Sequence, residues 1–442
     1  MFAAGGASAQ VAGEPKDGGQ PLRAVVEQLM KASPRVRAAG SDAVGADARV
    51  SEAWRRAYTP NLDLTAEAGR QRYESVANAD PSALTSYRTT MRATQLVTDF
   101  GRTSAQIDEA RFAASQSNSI MAATRDGVLL EALTAHWSVV RADMILTYSR
   151  QSEASVRKQT ELESSMVELG KGYESNVLQA KVQLASAEAS RVRAEGGLDI
   201  AKGRVRAVFG DLAGDVGYGE VALPNEALMP KSLDEAMSRA LKNNKQIEIG
   251  QFRSQALEKR LESTDAREFR PRVQVVAEHS WRKNIDVSVK GPDYEDSKLM
   301  LQLQYTLNSG MAGRSATEAT RRDLEASRLR EVETRDLVFE QVHVAWRNLK
   351  IAQQNKDTLS NQVRIAAKYF EMAMAERQMG RRSLLDVLTA EVSLINAVSD
   401  LVATEADAAI AGLTLLQAVG SLQPDALVTV PTEKAVTKTR HS

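Results

Sequence analysis

Any chemistry in this chain must come from imidazole, hydroxyl, carboxylate and basic groups, because its 442 residues include no cysteine. Disulfides, thiolate metal sites and a lipidated N-terminal cysteine are thereby excluded. Four histidines remain as candidates for proton transfer or metal binding: His136, His279, His343 and His441. None has metal-ligand spacing to another histidine or to a carboxylate pair. His136 and His343 stand near Trp137 and Trp346, a setting that predicts helix packing. The stretch FGDLAG, Phe209 to Gly214, lacks the Lys-Ser/Thr with which a P-loop holds phosphate. Neither G-x-S-x-G nor H-E-x-x-H occurs. No catalytic residue, metal site or cofactor is expected, and the chain reads as a non-enzyme. The chemically pointed residues that remain are charges beside glycine. They are Gly170-Lys171 in one half of the chain, and Gly380-Arg381-Arg382 followed by Asp386 in the other.

These charges are placed by a duplication, the first pattern to look for in a long chain. With an offset of 211, PLRAVVEQLMKASPRV (Pro21 to Val36) lies on SLDEAMSRALKNNKQI (Ser232 to Ile247). Arg49 then meets Arg260, Arg56 meets Arg267 and Pro60 meets Pro271. Trp137 meets Trp346 at an offset of 209; Gly170 meets Gly380 and Gly210 meets Gly420 at 210. NVLQA (Asn176 to Ala180) meets DVLTA (Asp386 to Ala390). The expected organisation is an unstructured start over 1–20, a first repeat over 21–209, a linker over 210–231, a second repeat over 232–420 and an irregular tail over 421–442. Ala7-Ser8-Ala9 before Gln10 has the small-x-small form of a signal-peptidase site. That start fits the tail of an export signal or a plain Ala/Gly-rich segment.

Each repeat predicts the same parts: a helix (21–57 or 232–268), two strands, a very long helix (103–168 or 315–378), a glycine turn and a last helix (174–209 or 383–419). Thr103-x-x-Gln106 and Ser315-x-x-Glu318 read as capping boxes at the long helices. At 1.5 Å per residue those helices reach roughly 100 Å. Val338, Val342, Ala345, Leu349 and Ala352 step by four and three, and after Lys356 the series resumes at Leu359, Val363, Ala366, Phe370 and Ala373. That is a coiled-coil seam with one break. The strand-to-helix turns use Gly101 in the first repeat, and Gly310 and Gly313 in the second.

The strands, near 60–73, 85–99, 271–282 and 297–308, alternate with period two. Leu62, Leu64, Ala66 and Ala68 oppose Asp63, Thr65 and Glu67. Tyr87, Met91, Ala93 and Val97 oppose Arg88, Thr90 and Arg92. Val273, Val275, Ala277 and Trp281 oppose Gln274, Glu278 and Arg282. Leu299, Leu301, Leu303, Tyr305 and Leu307 oppose Lys298, Gln302 and Gln304. A soluble amphipathic sheet would alternate in the same way. Yet strands of about 11 residues can cross a bilayer when tilted, and the long helices are occupied by their own seam. No run of about 18 uninterrupted apolar residues exists, so no membrane-spanning helix is expected. If lipid covers the sheet it must close, and four strands cannot close alone. Chains would pool strands, and a polar lumen favours three chains with twelve strands. The loops 74–84 and 283–296 would lie at the far end from the helices. Net charge is zero, with 57 basic and 57 acidic residues, which argues against a nucleic-acid partner.

The duplicated helix–hairpin–long-helix layout, together with MGRRSLLDVLTAEVSLINA (Met379 to Ala397), resembles the TolC family of outer-membrane channel proteins over about residues 21–425. The resemblance implies a mainly α fold with a small β part. It comprises a long α-helical coiled-coil barrel and four strands per chain that join a trimeric twelve-stranded transmembrane β-barrel. It also implies a homotrimer embedded in outer-membrane lipid, with its tunnel in the periplasm. The partners implied are a periplasmic adaptor and an inner-membrane ABC transporter or RND pump. In that family the glycine turns form the periplasmic tip, here Gly170 and Gly380, and two aspartates gate the entrance. The first aligns with Asp386 and the second with Thr389, so one carboxylate ring is expected in place of two. A latch arginine aligns with Arg382, its acidic partner with Asn176, and a latch tyrosine with Arg377. The charged latch is therefore altered, and a hydrogen bond from Arg382 to Asn176 is the expected substitute. Three Asp386 carboxylates around an axis would repel one another or bind cations; alternatively Asp386 only complements its helix dipole. Lys171, Arg381 and Arg382 make the tip basic, which suits adaptor docking or simple solvation of helix ends. The segment from Arg381 to Leu422 looks most like members that serve type I protein secretion of large cargo; small-molecule efflux is the alternative.

Overall fold

The structure is a computed structural model that describes residues 21–75, 78–283, 293–306, 311–424 and 427–432. The chain divides into two compact units. The first comprises Met1–Arg37, Ala122–Asn244 and Asp336–Ser442, and the second Ala38–Met121 and Lys245–Arg335. The helices are α1 (Leu22–Ala32), α2 (Pro34–Tyr58), α3 (Arg102–Glu168), α4 (Glu174–Phe209), α5 (Leu233–Asn243), α6 (Lys245–Phe269), α7 (Ala312–Gln378) and α8 (Leu384–Ala418). The strands are β1 (Asn61–Ser75), β2 (Asn78–Thr98), β3 (Glu220–Pro224), β4 (Arg272–Lys283), β5 (Tyr294–Gln304) and β6 (Leu427–Pro431). Both long helices, α3 and α7, run 67 residues.

The helix expected over 21–57 is broken at Ser33, before Pro34, and its counterpart over 232–268 at Asn244. Proline cannot continue the hydrogen-bond ladder of α1. In the second repeat the break falls at Asn244, whose buried side chain donates from Nδ2 to Ala418 O at 2.7 Å. The break thus recurs at matching positions although the residues differ.

The first unit is built on an apolar core. Leu22, Val25, Val26 and Leu29 of α1 pack with Leu129, Leu133 and Val140 of α3, Val205 and Phe209 of α4, and Leu413 and Leu416 of α8. His136 is fully buried there: its Nε2 lies 3.0 Å from Gly217 O and its ring stacks on Tyr218. Trp137 Nε1 donates to Ala222 O at 2.9 Å. These contacts pin α3 to β3, and His136 is a packing residue as its setting suggested. His343 is not; it is exposed on α7, while Lys350 rather than a histidine caps the Trp346 face at 5.1 Å. His441 lies outside the described residues. The tail after Gly420, expected to be irregular, supplies β6, which pairs antiparallel with β3. Helix α8 contains an 18-residue window of mean hydropathy 1.4, long and apolar enough by composition to cross a bilayer. Counting uninterrupted runs missed it because Glu391, Asp400, Glu405 and Asp407 interrupt the pattern. Its apolar side chains are engaged instead: Leu388, Leu413, Leu415 and Leu416 are buried.

The α7 seam is present in two states. Val338, Val342, Ala345, Leu349 and Ala352 are all buried, whereas Leu359, Val363, Ala366 and Phe370 are only half-buried and burial resumes at Ala373.

The second unit holds a four-stranded antiparallel sheet of order β1-β2-β4-β5. The repeats therefore meet through β2 and β4, and β1 and β5 are left as edges. Pairing of β1 with β2 continues to Ser75–Asn78, so most of the loop expected over 74–84 is strand. Strand β5 ends at Gln304; Tyr305 follows it, and Leu307 lies outside the described residues.

Candidate functional site

In the sheet, one face is cross-tied and the other is bare. The register sets Arg92 opposite Glu278, and Glu278 opposite Lys298. Arg92 Nη2 lies 2.5 Å from Glu278 Oε2, and Lys298 Nζ lies 2.7 Å from Glu278 Oε1. Glu278 is buried, with its side chain 6% exposed. Arg88 reaches Glu67 at 3.5 Å on the same face, and Gln274 donates to Gln302 at 3.0 Å. The opposite face carries Leu62, Leu64, Leu299, Leu301 and Leu303, all exposed, Leu299 by 76% and Leu301 by 70%. A sheet in water buries the leucines and wets the charges. This one does the reverse, as the wall of a lipid-embedded barrel must. Trp281 stands on the bare face near the β4–β5 connection and donates to Glu295 Oε1 at 3.0 Å, a position suited to a membrane-interface aromatic.

The strand-to-helix turns differ from expectation in detail. Phe100 and Met311, offset by 211, both have positive φ (55° and 54°), and Gly101 follows at 104°. Helix α7 starts at Ala312, so Gly313 is inside its first turn rather than at the bend. Its neighbour there is Glu268: an added Cβ would stand 2.9 Å from Glu268 Oε2 and 3.0 Å from its Cβ, so that side chain would have to shift. Gly310 lies outside the described residues. The capping boxes are also displaced. Asp99 takes the role assigned to Thr103, accepting from Thr103 N at 3.0 Å and from its hydroxyl at 2.5 Å. Ser315 is within α7, and Glu318 pairs with Arg321 and Arg322. A hydroxyl three residues before Gln or Glu occurs inside helices too, and only the acid four residues earlier marked the true start of α3.

At the far ends of the long helices, Gly170 and Gly380 have the same φ, 72°. Gly170 N donates to Val167 O and Lys171 N to Met166 O; Gly380 N donates to Arg377 O and Arg381 N to Glu376 O. Both are Schellman endings, which need a residue free to adopt left-handed backbone. Lys171 and Arg381 are exposed. Ser383 caps α8, accepting from Asp386 N at 3.2 Å and donating to Asp386 Oδ2 at 2.8 Å. Asp386 is thus held, exposed, in the first turn of α8. Thr389 is exposed one turn on and returns its hydroxyl to Leu385 O. Arg382 does not bond Asn176. Its Nε lies 2.9 Å from Glu376 Oε2, and its guanidinium stands over the Tyr369 ring at 5.3 Å. Asn176 closes the first turn of α4 through Tyr173 O. An ion pair does link the two hairpins, but through other residues: Arg377 of α7 meets the buried Glu163 of α3.

The model of the family described as outer membrane efflux protein matches residues 25–211 and again 236–421. The chain belongs to that family. One match falls in each half, which establishes the duplication. Outer membrane protein TolC of Escherichia coli is 22% identical over 430 residues, covering 92% of this chain and 83% of that protein. Outer membrane efflux protein BepC of Brucella suis biovar 1 is 21% identical over 347 residues, covering 78% and 75%. The outer-membrane channel OprN superposes with a TM-score of 0.78 at 16% identity, covering 91% of this chain and 90% of that one. This efflux-family chain is an outer-membrane channel protein with a helical barrel and a β domain, and it is not an enzyme.

Three buried carboxylates in the first unit were not anticipated. Besides Glu163, α8 buries Glu391 and Glu405 on one side, 14 residues or two heptads apart. Glu391 accepts from Gln159 Nε2 at 3.1 Å. Burial raises its pKa, against hydrogen bonds from Ser155 and Gln159 that lower it. Glu405 is raised by burial too, with Lys356 opposing. Lys356 Nζ lies 3.1 Å from Glu405 Oε1 without hydrogen-bond geometry. The signal was present in the sequence: Lys356 is where the α7 seam breaks, and it breaks because α8 presents an acid there.

Proposed function

We propose that three copies of this chain form the outer-membrane exit duct of a tripartite export system, and that its cargo is protein secreted by a type I route. The observation that carries the duct is the inside-out sheet with unpaired edges on β1 and β5. Lipid cannot hydrogen-bond an edge, so each β1 must find the β5 of another copy. A second feature in the helical unit points the same way. Leu337, Val344, Ile351, Ile365 and Met372 of α7 fall on one heptad stripe and are exposed. Leu178, Val182, Val192 and Ile200 of α4 are exposed as well. Unmatched coiled-coil stripes call for partner helices.

Within that duct, Asp386 supplies a ring of three carboxylates at the tunnel entrance. The turns at Gly170-Lys171 and Gly380-Arg381 present the basic surface on which an adaptor docks. Arg377–Glu163 takes over the latch that Arg382 and Asn176 do not make. Replacing Asp386 with Ala is expected to raise single-channel conductance and relieve cation block in planar bilayers; unchanged conductance removes the gate. Charge reversal at Arg381 that leaves export intact removes the docking role. The type I assignment rests on the resemblance of the Arg381–Leu422 segment, and it implies an inner-membrane ABC transporter as partner. The efflux reading, with an RND pump, draws on the family description and on the name of BepC. A deletion strain decides between them. Loss of large secreted proteins supports the first; drug sensitivity with secretion intact supports the second.

A further inference from the structure

A trench of about 700 Å³ opens in the first unit between α3, α7 and α8. It follows the loosened part of the α7 seam, and the half-buried Val363 and Phe370 stand on its wall. Along α8 it is lined by Glu391, Leu394, Ile395, Val398 and Val402, which fall on one helical stripe. Glu391 and Val402 are eleven residues apart, so the trench runs about 16 Å along the helix. Ser155 of α3 lines it too, and Gln159 follows one turn on along the same face.

The Glu391 end of the trench holds two polar needs that the helices leave unmet. Glu391 is 5% exposed and is bonded only by the neutral Gln159 and Ser155. Among the described residues no cation pairs with it. Arg364, the one cation on the lining, is exposed and donates to Asn361 at 2.6 Å; Asp357, the other carboxylate there, is exposed as well. Gln159 is itself buried, and its Oε1 has no hydrogen-bond partner. A buried charge without a counterion is costly, and a buried acceptor without a donor adds to the cost. Water would satisfy Gln159 and leave the charge. An ammonium group meets both needs, because it carries its charge and several N–H donors on one atom. From that end the trench continues straight along the apolar side chains of α8, which suits an unbranched hydrocarbon tail.

We propose that this trench binds a primary alkylammonium ion, with its ammonium on Glu391 and Gln159 and its tail along Leu394, Val398 and Val402. The site lies within the helical unit, so it stands apart from both the duct and the cargo readings. The test titrates the full-length channel, purified in a neutral detergent at mildly alkaline pH, with octylammonium, octanoate and octyltrimethylammonium, and counts bound ligand by native mass spectrometry. At that pH both the carboxylate and the ammonium are charged. Octylammonium is expected to be retained at least about tenfold more tightly than octanoate, which has the wrong charge, or the trimethyl ion, which has no N–H to give. Glu391→Gln, which keeps the shape and removes the charge, is expected to lose that preference. Val398→Phe, about two helical turns along the trench, is expected to weaken octylammonium severalfold, and Glu161→Gln, exposed on α3 outside the trench, to leave it unchanged. Thermal melts without ligand separate lost binding from lost folding. Equal octylammonium counts for wild type and Glu391→Gln, as partition into micelles alone would give, overturn the site. Equal retention of the trimethyl ion overturns the grip on Gln159, and undiminished binding by a folded Val398→Phe overturns the place of the tail.

Discussion

The sheet of the second unit and the helical layer of the first follow opposite rules. In the helical layer, the stripe from Val338 to Ala352 is buried and most charge is at the surface. In the sheet, Glu278 is buried among cations while Leu299 and Leu301 are bare. Both elements are amphipathic, and the period of neither says which face meets water. The difference lies in which face makes its bonds within the chain. A face tied by Arg92–Glu278–Lys298 has satisfied its polar groups and turns toward water only where it must. A leucine face with no covering helix needs a medium that does not penalise it. The bare face of the sheet therefore suits lipid, whereas the helical layer suits water.

The largest test of this contrast is a charge on the bare face. Leu301→Arg in mid-β5 should cost about 2–4 kcal/mol of insertion and strongly reduce the folded channel recovered from outer membranes. Gln302→Arg, its neighbour on the tied face, should be recovered at wild-type levels. In a sheet solvated by water the exposed Leu301 site would tolerate the arginine, so equal recovery of both variants would end the comparison.

Next is the ion pair inside the helical layer. Lys356→Met leaves Glu405 buried without its cation. A broken buried pair costs several kcal/mol; because Lys356 is about a third exposed, roughly 2 kcal/mol is expected by thermal melt. Adding Glu405→Leu should return stability to within about 1 kcal/mol of wild type, since an apolar pair fits the seam on either side of Lys356. Failure of the second change to rescue the first would show that the pair holds more than its own site.

On the sheet, Glu278→Gln removes the shared acceptor charge of Arg92 and Lys298. Water reaches both cations, so the expected loss in detergent unfolding is smaller than that of Lys356→Met. A loss above that of Lys356→Met would mean that the polar face of the sheet is drier than the helical core.

How much of this was visible beforehand depended on whether the pattern was local. The repeat, the long helices, the glycine tips and the strand alternation are all written in residues close in sequence, and each recurs at its offset. What escaped were pairings across elements. Arg92, Glu278 and Lys298 could be placed on polar faces, but only the strand register joins them. The caps failed for a related reason: Thr103 and Ser315 carry the right spacing, and which hydroxyl ends the coil is decided by Asp99 and by the turn at Met311. Arg382 does not reach Asn176 because Glu376 and Tyr369 lie nearer to it on its own side of the turn, and the Arg377–Glu163 ion pair joins elements far apart in sequence. Lys356 was the one long-range contact that left a trace, as a break in an otherwise regular seam.

The smallest effect is a pH slope, and it sharpens the comparison from the helical side. Burial raises the pKa of Glu391 above its unfolded value near 4.5. Its folded form therefore favours the proton. The resulting stabilisation is fully present below that unfolded value and is lost as pH rises through the raised folded value. The helical layer should thus gain stability on mild acidification from neutral pH. Glu391→Gln, which keeps the partner Gln159 but cannot ionise, should melt higher than wild type at neutral pH by on the order of 2 °C. It should lose that advantage as acid protonates the native residue. A variant that melts lower than wild type at neutral pH would mean that Gln159 and Ser155 hold the carboxylate in its charged form. Glu391 would then be a satisfied polar tie like Glu278, and the two units would differ less than their leucines suggest.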